Sequence, residues 1–113
     1  MTAAPRNYPD LHEHLAALEE RGLLRRIDRK IDKDAELHPL VRWQFVGGLE
    51  EADRKAFLFT NVTDGRGRAY DIPVVVGAIA ANPDIYSVGM RAPLGDIQAK
   101  WDEAIANPVE PRL

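Results

Sequence analysis

Cysteine is absent from this 113-residue chain, serine occurs once, and phenylalanine, tryptophan and tyrosine together make up 7% of it. Without cysteine there is no disulfide, no thiolate nucleophile and no Cys-based zinc or iron–sulfur site. The single serine, Ser87, falls in a stretch with helical character and has no base within its local motif, so no catalytic triad can be drawn. A basic surplus is missing too: 15 Lys and Arg stand against 18 Asp and Glu, a formal charge of -3, and neither sign gathers into a block. Counterion release, which drives nucleic-acid binding, has no evident source, and nucleic acid is set aside as a partner. No apolar run approaches the roughly 20 residues needed to span a bilayer, and residues 1–10 lack the hydrophobic stretch of a signal peptide. The expected location is the cytoplasm.

What is present points to one globular domain. At 45% hydrophobic and 29% charged, the composition suits a folded chain, and 113 residues suit a single core. Two runs dense in aromatic and β-branched residues stand out, Phe57 to Val62 and Tyr70 to Gly77. The polar turn Thr63-Asp64-Gly65-Arg66-Gly67-Arg68 separates them, which predicts a hairpin.

Around that pair the patterning is helical. Residues 1–9 hold two prolines and no periodicity, and read as an extended lead-in to a domain over 10–113. Asp10 is placed to cap a helix, with Glu13 three positions on. Leu11, Leu15 and Leu18 form one stripe, and Gly22 ends the helix in a left-handed cap. Leu23 to Asp32 interleaves basic and apolar residues as a short strand with one wet face. A second helix, capped by Asp32 or Asp34, carries Leu37, Leu40, Val41 and Phe45 and breaks at Gly47-Gly48, with Pro39 tolerated in its first turn. A charged connector, Leu49 to Lys55, leads to the hairpin. Asn82-Pro83-Asp84 announces a third helix ending near Gly89. A fourth begins at Pro93 to Asp96, carries Ile97, Trp101 and Ile105 on one stripe, and stops at Asn107-Pro108. The prediction is an α/β chain of α+β type: a small mixed sheet with the stripes of helices one, two and four packed on it.

Candidate sites are few. His12 and His14 diverge by about 200° around a helix and cannot chelate together. With His38 they read as solvated surface histidines. Asp28, Asp32, Asp34 and Glu36 cluster, but Arg25, Arg26, Arg29, Lys30 and Lys33 sit among them, and the glycine and terminal glutamate of a calcium loop are missing. A salt-bridged edge is the expectation. Gly65-x-Gly67 has no helix start behind it and reads as a hairpin loop rather than a phosphate cradle. No catalytic, cofactor-binding or metal residue is assigned. Trp43 and Trp101 lie on amphipathic stretches, where packing is the ordinary role; if exposed, either would mark a partner interface.

The order of these pieces resembles the N-terminal domain of UbiD-type decarboxylases. The similarity runs through the leucine-striped helix and following strand from Asp10 to Asp28, then Phe59-Thr60-Asn61-Val62, then Tyr70-Asp71-Ile72-Pro73-Val74-Val75, and closes with Trp101 to Pro111. The Leu49 to Lys55 connector is longer than that family's usual one, and Asn82-Pro83-Asp84 replaces a more basic helix start. The resemblance implies reversible decarboxylation of aromatic or α,β-unsaturated acids with prenylated FMN, manganese and potassium, all held in a domain downstream of this one. It therefore implies a non-catalytic small subunit or N-terminal domain, itself without cofactor, in a hetero-oligomer with a larger catalytic chain. A free-standing interaction or regulatory module is the alternative.

Overall fold

The structure, a computed structural model, describes residues 10–112, so the expected lead-in over 1–9 lies outside the described residues. Helix α1 spans Leu11–Glu20, and the Asp10 carboxylate accepts from the Glu13 N–H at 3.0 Å, as its position predicts. Gly22 follows in the left-handed region (φ 71°), where a residue with a Cβ is strained.

The strand signals are real, but each run is broken in two. Strand β1 (Leu24–Ile27) and β2 (Ile31–Asp32) come from the first run, β3 (Ala56–Phe59) and β4 (Val62–Thr63) from the second, β5 (Ala69–Tyr70) and β6 (Val74–Val76) from the third. The strand order is β1-β3-β6 in one sheet and β2-β4-β5 in the other. The middle run thus sits between the other two throughout, parallel to the first and antiparallel to the third. The hairpin is confirmed, and the small mixed sheet is present in two three-stranded parts.

The cause of the break is register. Ile27 pairs with Phe59 and Ile31 with Val62, so four positions on the first run answer three on the middle one. The same mismatch recurs on the other side, where Tyr70 pairs with Val62 and Val74 with Phe59. One extra residue on each flanking run makes a bulge that bends both away from the middle run at the same level. Thr60 bridges the gap, its N–H donating to the Ile27 carbonyl at 3.1 Å.

Between β2 and β3 the chain crosses over through a helical segment. Asp32 caps it, accepting from the Asp34 N–H at 2.8 Å. Its first part, Lys33–Leu37, is a wide π-helical turn, and α2 proper spans His38–Val46. Pro39 is therefore second in α2, and the N–H it lacks would have reached back into the wide turn. Helix α3 spans Pro83–Met90 and α4 spans Ile97–Ala106.

Side chains alternate across β3 and give the sheet two covered faces. Phe57 and Phe59 stack with ring centroids 5.7 Å apart and point into a cluster with Ile31, Leu37 and Val62, against which Leu40 and Val41 of α2 pack. Ala56 faces the other way, into a cluster with Leu18 of α1 and Ile85 of α3. Helix α3, not α4, completes this layer. The expectation that the fourth helix packs on the sheet is corrected: α4 has no buried residue, and beyond Ile97 every one of its residues is exposed.

Two buried amides join the layers. Gln44 reaches from α2 to the backbone of Lys55, with Nε2 donating to the carbonyl and Oε1 accepting from the N–H, both at 2.8 Å. Asn82, capping α3 by accepting from the Ile85 N–H at 2.8 Å, also donates through Nδ2 to the Arg54 carbonyl at 2.6 Å. Two adjacent residues at the start of β3 are thus held from opposite faces of the sheet.

Candidate functional site

The acidic cluster is spent on structure. Asp28 accepts from the Thr60 hydroxyl at 2.5 Å and from Arg26 Nε at 3.1 Å. Asp34 accepts from Lys33 Nζ at 2.9 Å and from the Gly65 N–H at 2.8 Å, tying the second helical segment to the hairpin turn. Glu36 accepts from the Asp32 N–H at 3.1 Å and from Arg29 at 3.3 Å. Each carboxyl is held below its ordinary pKa: Asp28 by the Thr60 hydroxyl, Asp34 by Lys33 and then Gly65, Glu36 by the Asp32 N–H and then Arg29. Lys33 is held above its ordinary value by Asp34. A general acid or base at neutral pH needs the opposite tuning. Among the described residues no group of three His, Asp or Glu side chains is placed to hold a metal ion.

The hairpin turn is equally committed. Asp64 accepts through Oδ1 from the N–H groups of Arg66 and Arg68 at 3.0 and 2.9 Å, and through Oδ2 from the Tyr70 hydroxyl at 3.1 Å. With Asp34 already on the Gly65 N–H, the donors that a flavin phosphate would need are occupied by carboxylates, whose charge also repels it. The residues of this turn do not fit the cofactor. Ser87 Oγ donates to the Ala92 carbonyl at 2.5 Å and closes the end of α3.

Of the histidines, His12 and His38 are exposed as expected. His14 is not merely solvated: it is half-buried, with Nε2 2.6 Å from the Ala78 carbonyl, to which it donates, so it pins α1 to the turn after β6. Gln44 carries no sequence motif. Its only signal is position, four residues after Leu40 and three after Val41, on the face where an apolar residue belongs.

Both tryptophans are exposed, Trp43 at 57% and Trp101 at 46%. They lie in separate grooves. The Trp43 groove runs between α2 and the outer side of β1, and is rimmed by Arg25, Arg29 and Lys55. The Trp101 groove is formed where α1, α3 and α4 meet, with Leu11, Ile79, Tyr86 and Met90 in its walls. There the Trp101 indole N–H donates to the Tyr86 hydroxyl at 2.8 Å. Among the described residues no helix is long and apolar enough to cross a membrane.

This arrangement, a sheet covered on both faces with exposed apolar grooves, has a relative of known structure. The chain is similar to a UbiD-class enzyme, HmfF from Pelotomaculum thermopropionicum, whose structure was solved in complex with FMN. Identity is 30% over 90% of this chain, with a TM-score of 0.63, and the match spans 20% of the HmfF chain. No curated protein sequence matches. The family of the 3-octaprenyl-4-hydroxybenzoate carboxy-lyase N-terminal domain matches over residues 15–96, most of the chain and both covered faces of the sheet. The chain therefore belongs to the UbiD N-terminal domain family.

Proposed function

We propose that this chain is a non-catalytic component of a UbiD-type decarboxylase, working in the cytoplasm as small subunit or N-terminal domain beside a larger flavin-bearing catalytic chain. The observation that carries this reading is the 20% share of HmfF that the domain accounts for, combined with an acidic cluster and a hairpin turn consumed by their own fold. Prenylated FMN, manganese and potassium are held by the catalytic chain in this reading, and the substrates are aromatic or α,β-unsaturated carboxylic acids. The cofactor supplies the decarboxylation chemistry there. This domain supplies shape: a rigid sheet, fixed by Gln44 and Asn82, that presents apolar grooves to the partner and helps frame the substrate cleft. Trp43 and Trp101 are its candidate contact residues.

Co-expression with a flavin-bearing UbiD-class chain from the same cells tests the proposal. A complex of defined mass should form, and carbon dioxide release from an aromatic acid should fall when this chain is withheld. Full activity and stability of the catalytic chain alone, with no binding to this one, would sink it.

A further inference from the structure

The two tryptophan grooves differ in what covering them would leave behind. In the Trp101 groove the polar atoms already have partners within the fold. The indole N–H is on Tyr86, His14 Nε2 is on the Ala78 carbonyl, and the Asp10 carboxylate caps α1. Covering this groove breaks none of these bonds, which lowers the penalty of burying polar surface. The Tyr86 hydroxyl, an acceptor for Trp101, keeps its own hydrogen to offer outward. The Trp43 groove is lined by four cations, Arg25, Arg26, Arg29 and Lys55, with Asp28 and Asp53 among them. Arg26 and Arg29 are already on Asp28 and Glu36, but the Arg25 guanidinium and the Lys55 ammonium would each require a new partner or lose water.

The apolar walls of the groove are open to solvent, Leu11 being 56% exposed and Ile79 77%, and Ile105, one turn past Trp101 on the stripe of α4, adds a further side chain at 74%. Contiguous apolar patches of about 300–600 Å² on a monomer are often functional, and four large side chains exposed to this degree reach that range. Helix α4 has no buried residue and is held to the body by the Trp101–Tyr86 bond and by Lys100 Nζ donating to the Met90 carbonyl. A ten-residue helix is marginal in water unless its apolar stripe is packed.

Charge narrows the occupant. Asp96, Asp102 and Glu103 accompany α4 with Lys100 as the one cation between them, and Asp102 and Glu103 accept only from the neutral amides of Gln98 and Asn107. Two copies of α4 packed together would set like charges against each other. A surface with an apolar centre and a basic rim is the complement. Resting on the functional reading above, we infer that the α1–α3–α4 face centred on Trp101, and not the Trp43 groove, is the surface that docks on the flavin-bearing part of a UbiD-class enzyme. Trp101 is its preoriented anchor, its one polar atom satisfied before contact.

The test uses the complex of this chain with the flavin-bearing UbiD-class chain, and the variants Ile79→Glu, Ile105→Glu and Trp43→Gln, all at exposed positions. Ile79→Glu and Ile105→Glu should each weaken the complex at least tenfold, with Trp43→Gln within threefold of the parent. Amide hydrogen exchange on the unaltered complex, which needs no variant, should show new protection over 97–106. Tight binding by both glutamate variants together with loss in Trp43→Gln would overturn the choice of surface and leave the functional reading standing. Dimerisation of the chain alone, abolished by Ile105→Glu, would make a second copy the occupant. Failure of the unaltered chain to bind any UbiD-class chain would remove the functional reading, and this surface with it.

Discussion

The Gln44 side chain meets the Lys55 peptide unit as a second strand would, donating to its carbonyl and accepting from its N–H at 2.8 Å each. An α-helical residue thereby supplies the ladder contact that the first residue before β3 lacks. At 3% exposure the amide is sealed from water, so neither half of the contact has a substitute.

Gln44→Leu should therefore destabilise the fold by about 2–6 kcal/mol, since it leaves two backbone groups unpaired at about 1–3 kcal/mol each. Gln44→Glu keeps the acceptor for the Lys55 N–H but turns an oxygen toward its carbonyl, and should fare no better. Urea unfolding monitored by circular dichroism should show a lower midpoint at unchanged slope.

Acid should unfold the protein through its hairpin turn. The Asp64 carboxyl is held below its ordinary pKa first by the Arg68 N–H, and Asp28, Asp34 and Glu36 are lowered as well. A depressed folded-state pKa means stability that is fully present above the unfolded value, about 4 for a carboxyl, and lost as pH falls through the folded one. Stability should be level from about pH 5 to neutrality and decline below about pH 4. Asp64→Asn should flatten part of that decline. Lys33, raised by Asp34, acts in the other direction: its contribution is complete below about pH 10 and disappears as pH rises past its folded value. Thermal midpoints across pH 2–11 for parent and variant check both arms.

Two left-handed positions should respond oppositely to substitution. Gly22 (φ 71°) has nothing within 4 Å of a built Cβ, so Gly22→Ala costs only the backbone penalty of about 1–2 kcal/mol. Arg91 (φ 55°) closes α3 in the same region with a side chain that disfavours it. Arg91→Gly should gain about 0.5–1 kcal/mol, the relief of that penalty less glycine's extra chain entropy. Denaturant midpoints that move the same way for both would contradict the backbone account.

Gly47 admits no side chain. A Cβ there would stand 2.5 Å from the Trp43 carbonyl and 2.6 Å from its indole Cδ1. Gly47→Ala should swing the indole off the end of α2 and shift Trp43 emission, with Trp101→Phe as background to isolate the signal. An unaltered spectrum in that pair would show that the indole does not rest on Gly47.

The parts of the fold legible in the sequence are those governed by neighbours in the chain. Asp10 and Asn82 cap their helices through N–H groups three residues away, Gly22 turns where a Cβ is penalised, and the polar turn after Val62 returns an antiparallel partner. The bulges beside Thr60 were hidden because they arise from counting residues across strands, which no single run displays. Gln44 was hidden for a similar reason: the groups it satisfies lie eleven positions on, beyond any helical periodicity. The stripe on α4 announced that a face needs cover without saying what supplies it, and the sheet was the wrong assumption. His14 reads as a surface residue until α1 is laid beside Ala78. The distinction between the two tryptophans needed the Tyr86 hydroxyl in place.

The parallel pairing of β1 with β3 has a consequence for how the chain reaches its native state. Leu24 finds Ala56 at a separation of 32 residues, whereas Thr63 finds Ala69 across six. Loop closure makes the short-range contact the cheaper one to form first, so the hairpin should nucleate folding and β1 should add late. Mutations in β1 should then speed unfolding while leaving the refolding rate nearly unchanged, and mutations in the hairpin should slow refolding. On the ribosome the order of appearance is reversed: β1 emerges before the strand it pairs with exists, and waits with its apolar side chains uncovered until the hairpin has followed it out.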